Sequence, residues 1–174
     1  ASSVGDFTIK ETYNSLQIED VFTTIQNSAF SSGTCPNSSD PIILHFRIMS
    51  NNKIMYDKLA DSIKTILNSH ILDKKYSYEN HGENLGKVAI SNFKEKVIII
   101  VDASNPLYQK TGLDEYINMT SSSPFLHLKR YHDVKYTQDL GLIGFNKKHM
   151  TIVIPNFSAN DKNPNFNIAR QYGC

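Results

Sequence analysis

The chain has little of what most chemistries advertise. It holds two cysteines, Cys35 and Cys174, too few for a disulfide framework and too far apart for a zinc knuckle. Charge of one sign is lacking too: 18 Lys+Arg stand against 17 Asp+Glu, a formal net charge of +1. That balance, with no dense basic run, excludes an electrostatic argument for a nucleic-acid partner. Long apolar runs are missing. The longest, Val97–Val101, is strand-length and far short of the ~20 residues a transmembrane helix needs. The opening Ala1-Ser2-Ser3-Val4-Gly5-Asp6 has neither the basic nor the apolar region of a secretory signal. No glycine-rich fingerprint follows a strand-like run, and Gly141-Leu142-Ile143-Gly144 falls inside a helical pattern. This argues against dinucleotide-binding and phosphate-loop folds.

What is present is the make-up of a globular domain. An apolar fraction of 40% over 174 residues suits one domain that buries about 70% of its unfolded surface. Asn is roughly a tenth of the chain, which together with abundant Ile and Lys suggests an A/T-rich genome.

Periodicity supplies the elements. Ile18, Val21, Phe22, Ile25 and Phe30 fall near helical spacing and predict a helix over Ile18 to Ala29. A turn-rich loop from Ser31 to Pro41 leads into the β-branched run Ile42–Met49, a strand. Ser50-Asn51-Asn52 offers helix caps, and Tyr56, Leu59, Ile63, Ile66 and Leu67 line the following helix. The polar stretch Asp73 to Gly86 reads as a long loop. Lys96 to Asp102 is the strongest strand, apolar on both faces around Val97–Val101, as a parallel strand covered on both sides must be. Beyond it the pattern predicts a helix over Leu113 to Met119 and a strand over Phe125 to Tyr131. A helix over Thr137 to Asn146, a strand over Thr151 to Pro155 and a helix over Asn165 to Gln171 complete the reading. Such alternation means a parallel sheet with right-handed crossovers, either doubly wound or a barrel, and the missing fingerprint favours the barrel. Ile42–Met49, Val97–Val101 and Thr151–Pro155 are expected in one sheet.

Several segments resemble one family. Leu16-Gln17-Ile18-Glu19-Asp20-Val21 through Ala29-Phe30, followed by Asp40-Pro41-Ile42-Ile43-Leu44, is similar to a helix and strand of the X region of phosphoinositide-specific phospholipase C. Asn51 to Ile66 resembles the family's next helix, and Gly86-Lys87-Val88 through Val101 its next strand. Tyr76 to Asp102, with Arg170-Gln171-Tyr172-Gly173-Cys174, is most like the divergent versions encoded by large DNA viruses. The resemblance implies an α/β fold: a parallel β/α barrel of the phospholipase-C-like phosphodiesterase type. Such a barrel needs eight β/α units and about 250 residues. Residues 1–174 are therefore expected to be a single segment of it, with the early strands and the last strand missing.

The resemblance also implies a reaction, and the matched positions depart from it. The family's histidine turn falls near Phe7-Thr8-Ile9, where no histidine stands. Its strand-end glutamate aligns with Arg47, a permanent cation that can neither accept a proton nor bind calcium. Its phosphate-holding lysines align with Ile100 and Asp102. Strand alternation puts Ile43, His45, Arg47 and Met49 on one face and Leu44, Phe46 and Ile48 on the other. If the family register holds, the Arg47 face points inward, its stem is buried, and Arg47 pairs with Asp102 at the same rim or with a backbone carbonyl. A vestigial site of Arg47, His45 and Asp102 follows, with no catalytic residue, cofactor or metal.

The six histidines are scattered without the i, i+4 spacing of a helical metal pair. His127 and His132, flanking Lys129-Arg130, read as a solvated basic edge or a phosphate site. The formal sequons at Asn37, Asn118 and Asn156 are expected by chance in so Asn-rich a chain. Three functions compete. One is a degenerate, non-catalytic barrel, a structural or interaction protein within a larger assembly such as a virus particle, located in the cytoplasm or virion. Another is a calcium-dependent phosphodiesterase whose histidines lie outside this segment or whose site is rebuilt from His45, Arg47 and Asp102. The last is a module that binds a phosphoinositide headgroup without turnover.

Overall fold

The computed structural model describes residues 8–11, 14–77, 85–123, 126–130 and 150–154. Two short strands, β1 (Thr8–Glu11) and β2 (Asn14–Gln17), pair antiparallel. Helix α1 (Ile18–Thr24) follows and widens into a π-helical turn over Ile25–Ala29. Ile18, Phe22 and Ile25 are buried at helical spacing, while Glu19 and Asp20 occupy the first turn, where acidic groups suit the helix dipole. Strand β3 spans Ile42–Phe46.

Helix α2 (Lys53–Ser62) begins at Asn52, whose side chain accepts a hydrogen bond from the Ile54 N–H at 3.1 Å. This is the cap that the Ser50-Asn51-Asn52 run promises. Met55, Tyr56, Leu59, Ala60, Ile63 and Leu67 are buried along one stripe, the last two in a second π-helical turn, Ile63–Leu67.

Strand β4 (Val97–Val101) is buried at every position. It pairs parallel with β3, from Ile42 opposite Val97 to Phe46 opposite Val101, and parallel with β5 (Met119–Thr120) on its other side. The sheet order is β3-β4-β5. Alternation then divides the core into two layers. Val97, Ile99 and Val101 pack on one face with α1 and α2, around Phe22, Tyr56, Leu59 and Ile63. Ile98 and Ile100 pack on the other with Leu72, Leu85, Phe93, Met119 and Leu126. Strands β6 (Leu126–Arg130) and β7 (Met150–Ile154) pair parallel in a ladder of their own.

Two expectations are corrected here. The strand expected over Thr151 to Pro155 and in the β3-β4 sheet is found at Met150–Ile154 and pairs with Leu126–Arg130 instead. Leu113 to Met119 is not one helix. A short 3-10 turn covers Gly112–Tyr116, and Met119–Thr120 is strand β5, because Asn118 is drawn onto the sheet through its N–H, which donates to the Ile99 carbonyl at 2.9 Å. The β1–β2 hairpin was not foreshadowed by any apolar alternation. The expected helices over Thr137 to Asn146 and Asn165 to Gln171 lie outside the described residues. Among those described, the parallel strands form two separate sheets rather than a closed ring, and no helix is long and apolar enough to cross a membrane.

Candidate functional site

The carboxyl ends of β3 and β4 bring the candidate residues to one rim. Parallel register sets Phe46 opposite Val101, and the Asp102 N–H donates to the Phe46 carbonyl at 2.8 Å. Arg47, next after Phe46, therefore leaves the sheet beside Asp102. His45 lies opposite Ile100, one pleat back on the same face. The geometry thus places His45, Arg47 and Asp102 together.

Their packing departs from expectation. Ile42, Leu44, Phe46 and Ile48 are partly buried against the helix-side core, whereas Ile43 is 39% exposed and His45 and Arg47 are exposed. The side chains that cover Ile98 and Ile100, among them Leu72, Leu85 and Phe93, do not extend over β3. The buried Arg47 stem predicted from the sequence is absent for that reason. So is the ion pair: among the described residues no salt bridge joins Arg47 to Asp102, whereas Lys74 and Asp114 do meet, at 3.8 Å.

Asp102 is engaged elsewhere. Its Oδ1 accepts from the Ser104 N–H at 2.8 Å, and hydrogen bonds from Ser104, side chain and backbone, hold the carboxyl below its ordinary range. The nearby charges of His45 and Arg47 add smaller effects in the same direction. His45 is pushed the other way from an ordinary cation. Partial desolvation against the sheet lowers its pKa below 6.5, opposed by the weaker pull of Asp102. The imidazole is thus mostly neutral at pH 7.

Hydrogen bonds between the loops at this rim fix the backbone around these groups. Asn105 Nδ2 donates to Asn51 Oδ1 at 3.0 Å and to the Ser50 carbonyl at 3.4 Å. Tyr56 Oη donates to the same carbonyl at 2.9 Å, and the Ala103 N–H donates to Ser121 Oγ at 2.9 Å. The rim therefore offers a guanidinium fork, one neutral imidazole and one carboxylate committed to a turn. It can attract an anion, but its described residues do not supply the oxygen-rich set that calcium requires. Among the described residues no group of three or more His, Cys, Asp or Glu could hold a metal.

Because Arg47 is exposed and Asp102 is held by Ser104, their coupling should be small. Asp102→Ala is expected to cost about 0.5–2 kcal/mol, the loss of a turn-stabilising acceptor. A double-mutant cycle with Arg47→Met should return a coupling of about 0–1 kcal/mol, the range of an exposed pair. Equilibrium urea unfolding of the four proteins measures both, and a coupling of several kcal/mol would restore the buried pair.

Sequence reasoning missed a polar residue buried in the sheet. Asn118, which it treats only as a chance sequon, is 1% exposed. Its Oδ1 accepts from the Ile99 N–H at 2.9 Å, its backbone N–H donates to the Ile99 carbonyl at 2.9 Å, and its Nδ2 donates to the Leu72 carbonyl at 3.5 Å. The signal available was an amide between Ile117 and Met119, two buried apolar neighbours. A small cleft of about 40 Å³ opens beside it, lined in part by Lys74, Tyr108, Asp114 and Thr120. Of the other histidines, His70 lies near the amino end of β4, its Nδ1 hydrogen-bonded to the Glu95 carbonyl at 2.8 Å. His127 is on β6, while His81, His132 and His149 are outside the described residues.

No protein-family model matches the chain, and no curated protein matches it. Among solved structures it is similar to the crystal structure of L. pealei PLC21, a phospholipase C, with a TM-score of 0.63 and 14% sequence identity. The match covers 99% of this chain and 27% of that one, so the chain spans about a quarter of the length of the protein it matches. The fold defined by the parallel strands and their helices is therefore phospholipase-C-like, a partial α/β arrangement.

Proposed function

We propose that this phospholipase-C-like fold serves as a non-catalytic scaffold, a structural or interaction protein of a larger assembly, in the cytoplasm or in a virus particle. The observation that carries the reading is the state of the strand-end rim. Arg47 stands where the resembled family places a carboxylate, and the neighbouring carboxylate, Asp102, is held by Ser104 at 2.8 Å. Acid–base cleavage of a phosphodiester needs a proton acceptor and a donor aimed at one bond, and among the described residues this rim offers a single imidazole. The viral setting rests on the likeness of Tyr76 to Asp102 and of Arg170 to Cys174 to viral versions.

One feature favours the phosphodiesterase alternative: His45, neutral near pH 7, shares its face with Asp102 and could accept a proton. The two readings separate in one assay. The chain, incubated with phosphatidylinositol 4,5-bisphosphate vesicles and calcium, is expected to release no soluble inositol phosphate. Release that disappears in His45→Ala would overturn the scaffold reading and identify a rebuilt site.

A further inference from the structure

The chain contains four Asn-Ser steps, at Asn14, Asn27, Asn37 and Asn68, and the backbone treats one of them in a way that bears on chemistry. Asn68 closes the π-helical turn Ile63–Leu67 with φ 38° and ψ −107°. A positive φ is uncommon outside glycine, and the ψ of Asn68 lies outside the left-handed helical well in which Asn usually adopts one. The ψ value matters more. In an L-residue the Cβ is rotated from the backbone nitrogen by about 120° around the Cα–C bond, so ψ near −107° brings the next residue's nitrogen almost into eclipse with Cβ. A five-membered ring through Cγ, Cβ, Cα, the carbonyl carbon and the Ser69 nitrogen needs that near-planar arrangement. Asn68 and Ser69 are both exposed, so water and hydroxide reach them, and Ser69 presents only a small side chain next to the attacking nitrogen.

We infer that Asn68 is a self-modification site, poised to form a succinimide with the Ser69 backbone nitrogen and to deamidate. Hydroxide takes the Ser69 amide proton, and the nitrogen's electron pair forms a bond to Asn68 Cγ. The bond from Cγ to the side-chain nitrogen breaks, and that nitrogen leaves as ammonia after taking a proton from water. Water then adds to either ring carbonyl and opens the ring, giving aspartate through one carbon–nitrogen cleavage or isoaspartate through the other. No enzyme or cofactor is required.

The product would matter to the fold. A carboxylate at position 68 stands at a helix carboxyl end, where negative charge is disfavoured. Isoaspartate lengthens the backbone just before Ile71 and Leu72, whose pairing with β4 includes the Leu72 N–H donating to the Val97 carbonyl at 3.2 Å. Asn68 is thus a slow chemical clock on the entry to the central sheet.

The unmodified chain supplies its own control. Asn27 is also exposed and also precedes serine, but it lies within the π-helical turn Ile25–Ala29, where helical ψ values of about −40° hold the next nitrogen away from Cγ. The folded chain is incubated at mildly alkaline pH, and peptide mass spectrometry follows the gain of about one dalton, with isoaspartate identified by fragmentation. Near-attack orientation should make Asn68 deamidate about tenfold faster than Asn27 in the folded chain. In concentrated guanidinium chloride the two rates should converge, because both steps are then Asn-Ser in a disordered backbone. A folded-state rate at Asn68 no greater than that at Asn27, or a ratio unchanged by denaturant, would overturn the proposal.

Discussion

Ile99→Ala is expected to destabilise the chain by about 2–5 kcal/mol, the range for removing a large aliphatic group from a packed core. Ile99 has no exposed surface and sits at the middle of β4, between β3 and the following turn, in the core layer that holds Phe22, Tyr56, Leu59 and Ile63. Its neighbours belong to two helices and a parallel strand, each already fixed by its own contacts, so the cavity left by three carbons cannot close. The comparison residue is Ile43, on the uncovered face of β3 and 39% exposed. There the same change should cost about 1 kcal/mol or less. Urea denaturation of both variants checks the contrast. Equal midpoints would mean that β4 is not the buried centre of the sheet.

Asn118→Ala should cost about 2–4 kcal/mol, for a different reason: it strands polar groups rather than opening a void. Removing the amide leaves the Ile99 N–H and the Leu72 carbonyl without the partners found at 2.9 Å and 3.5 Å, in a part of the sheet that water does not reach. Asn118→Leu is the sharper variant. It restores the volume and none of the hydrogen bonds, so it should remain within about 1 kcal/mol of the alanine protein rather than recover the parent's stability. Amide hydrogen exchange adds a local readout, since Ile99 should lose protection in both variants. A leucine protein as stable as the parent would show that packing, not pairing, is what position 118 supplies.

These two positions also mark what the sequence could and could not reveal. β4 was legible because five consecutive β-branched residues, Val97–Val101, have no plausible place except under cover on both faces. α2 was legible because its apolar spacing and its Asn52 cap agree. β5 was not legible: two residues carry no periodicity, and what brings them to the sheet is Asn118 binding a strand nineteen positions earlier, a tertiary contact. The β1–β2 hairpin is short and polar, and nothing in Thr8–Glu11 or Asn14–Gln17 distinguishes it from a loop.

The candidate site divides in the same way. Alternation and parallel pairing, both local rules, gather His45, Arg47 and Asp102 on one rim. Whether Arg47 is buried depends on what covers β3, and among the described residues those that cover this face, Leu72, Leu85 and Phe93, come from distant segments and pack on Ile98 and Ile100 of β4. The ion pair expected from the sequence gives way to a nearer competitor. The Ser104 N–H lies two residues from Asp102 and binds it through a tight turn, which costs less ordering than pinning a long arginine chain.

The reading of the rim depends on β3 and β4 running in the same direction with Phe46 opposite Val101. Interstrand nuclear Overhauser effects in the isotopically labelled chain test this most directly. The account predicts contacts that advance together along both strands, Ile42 with Val97, Leu44 with Ile99 and Phe46 with Val101, together with a protected Asp102 amide. Contacts that advance on one strand while receding on the other, so that Ile42 meets Val101, would contradict the parallel sheet. They would separate Arg47 from Asp102 and remove the site with it.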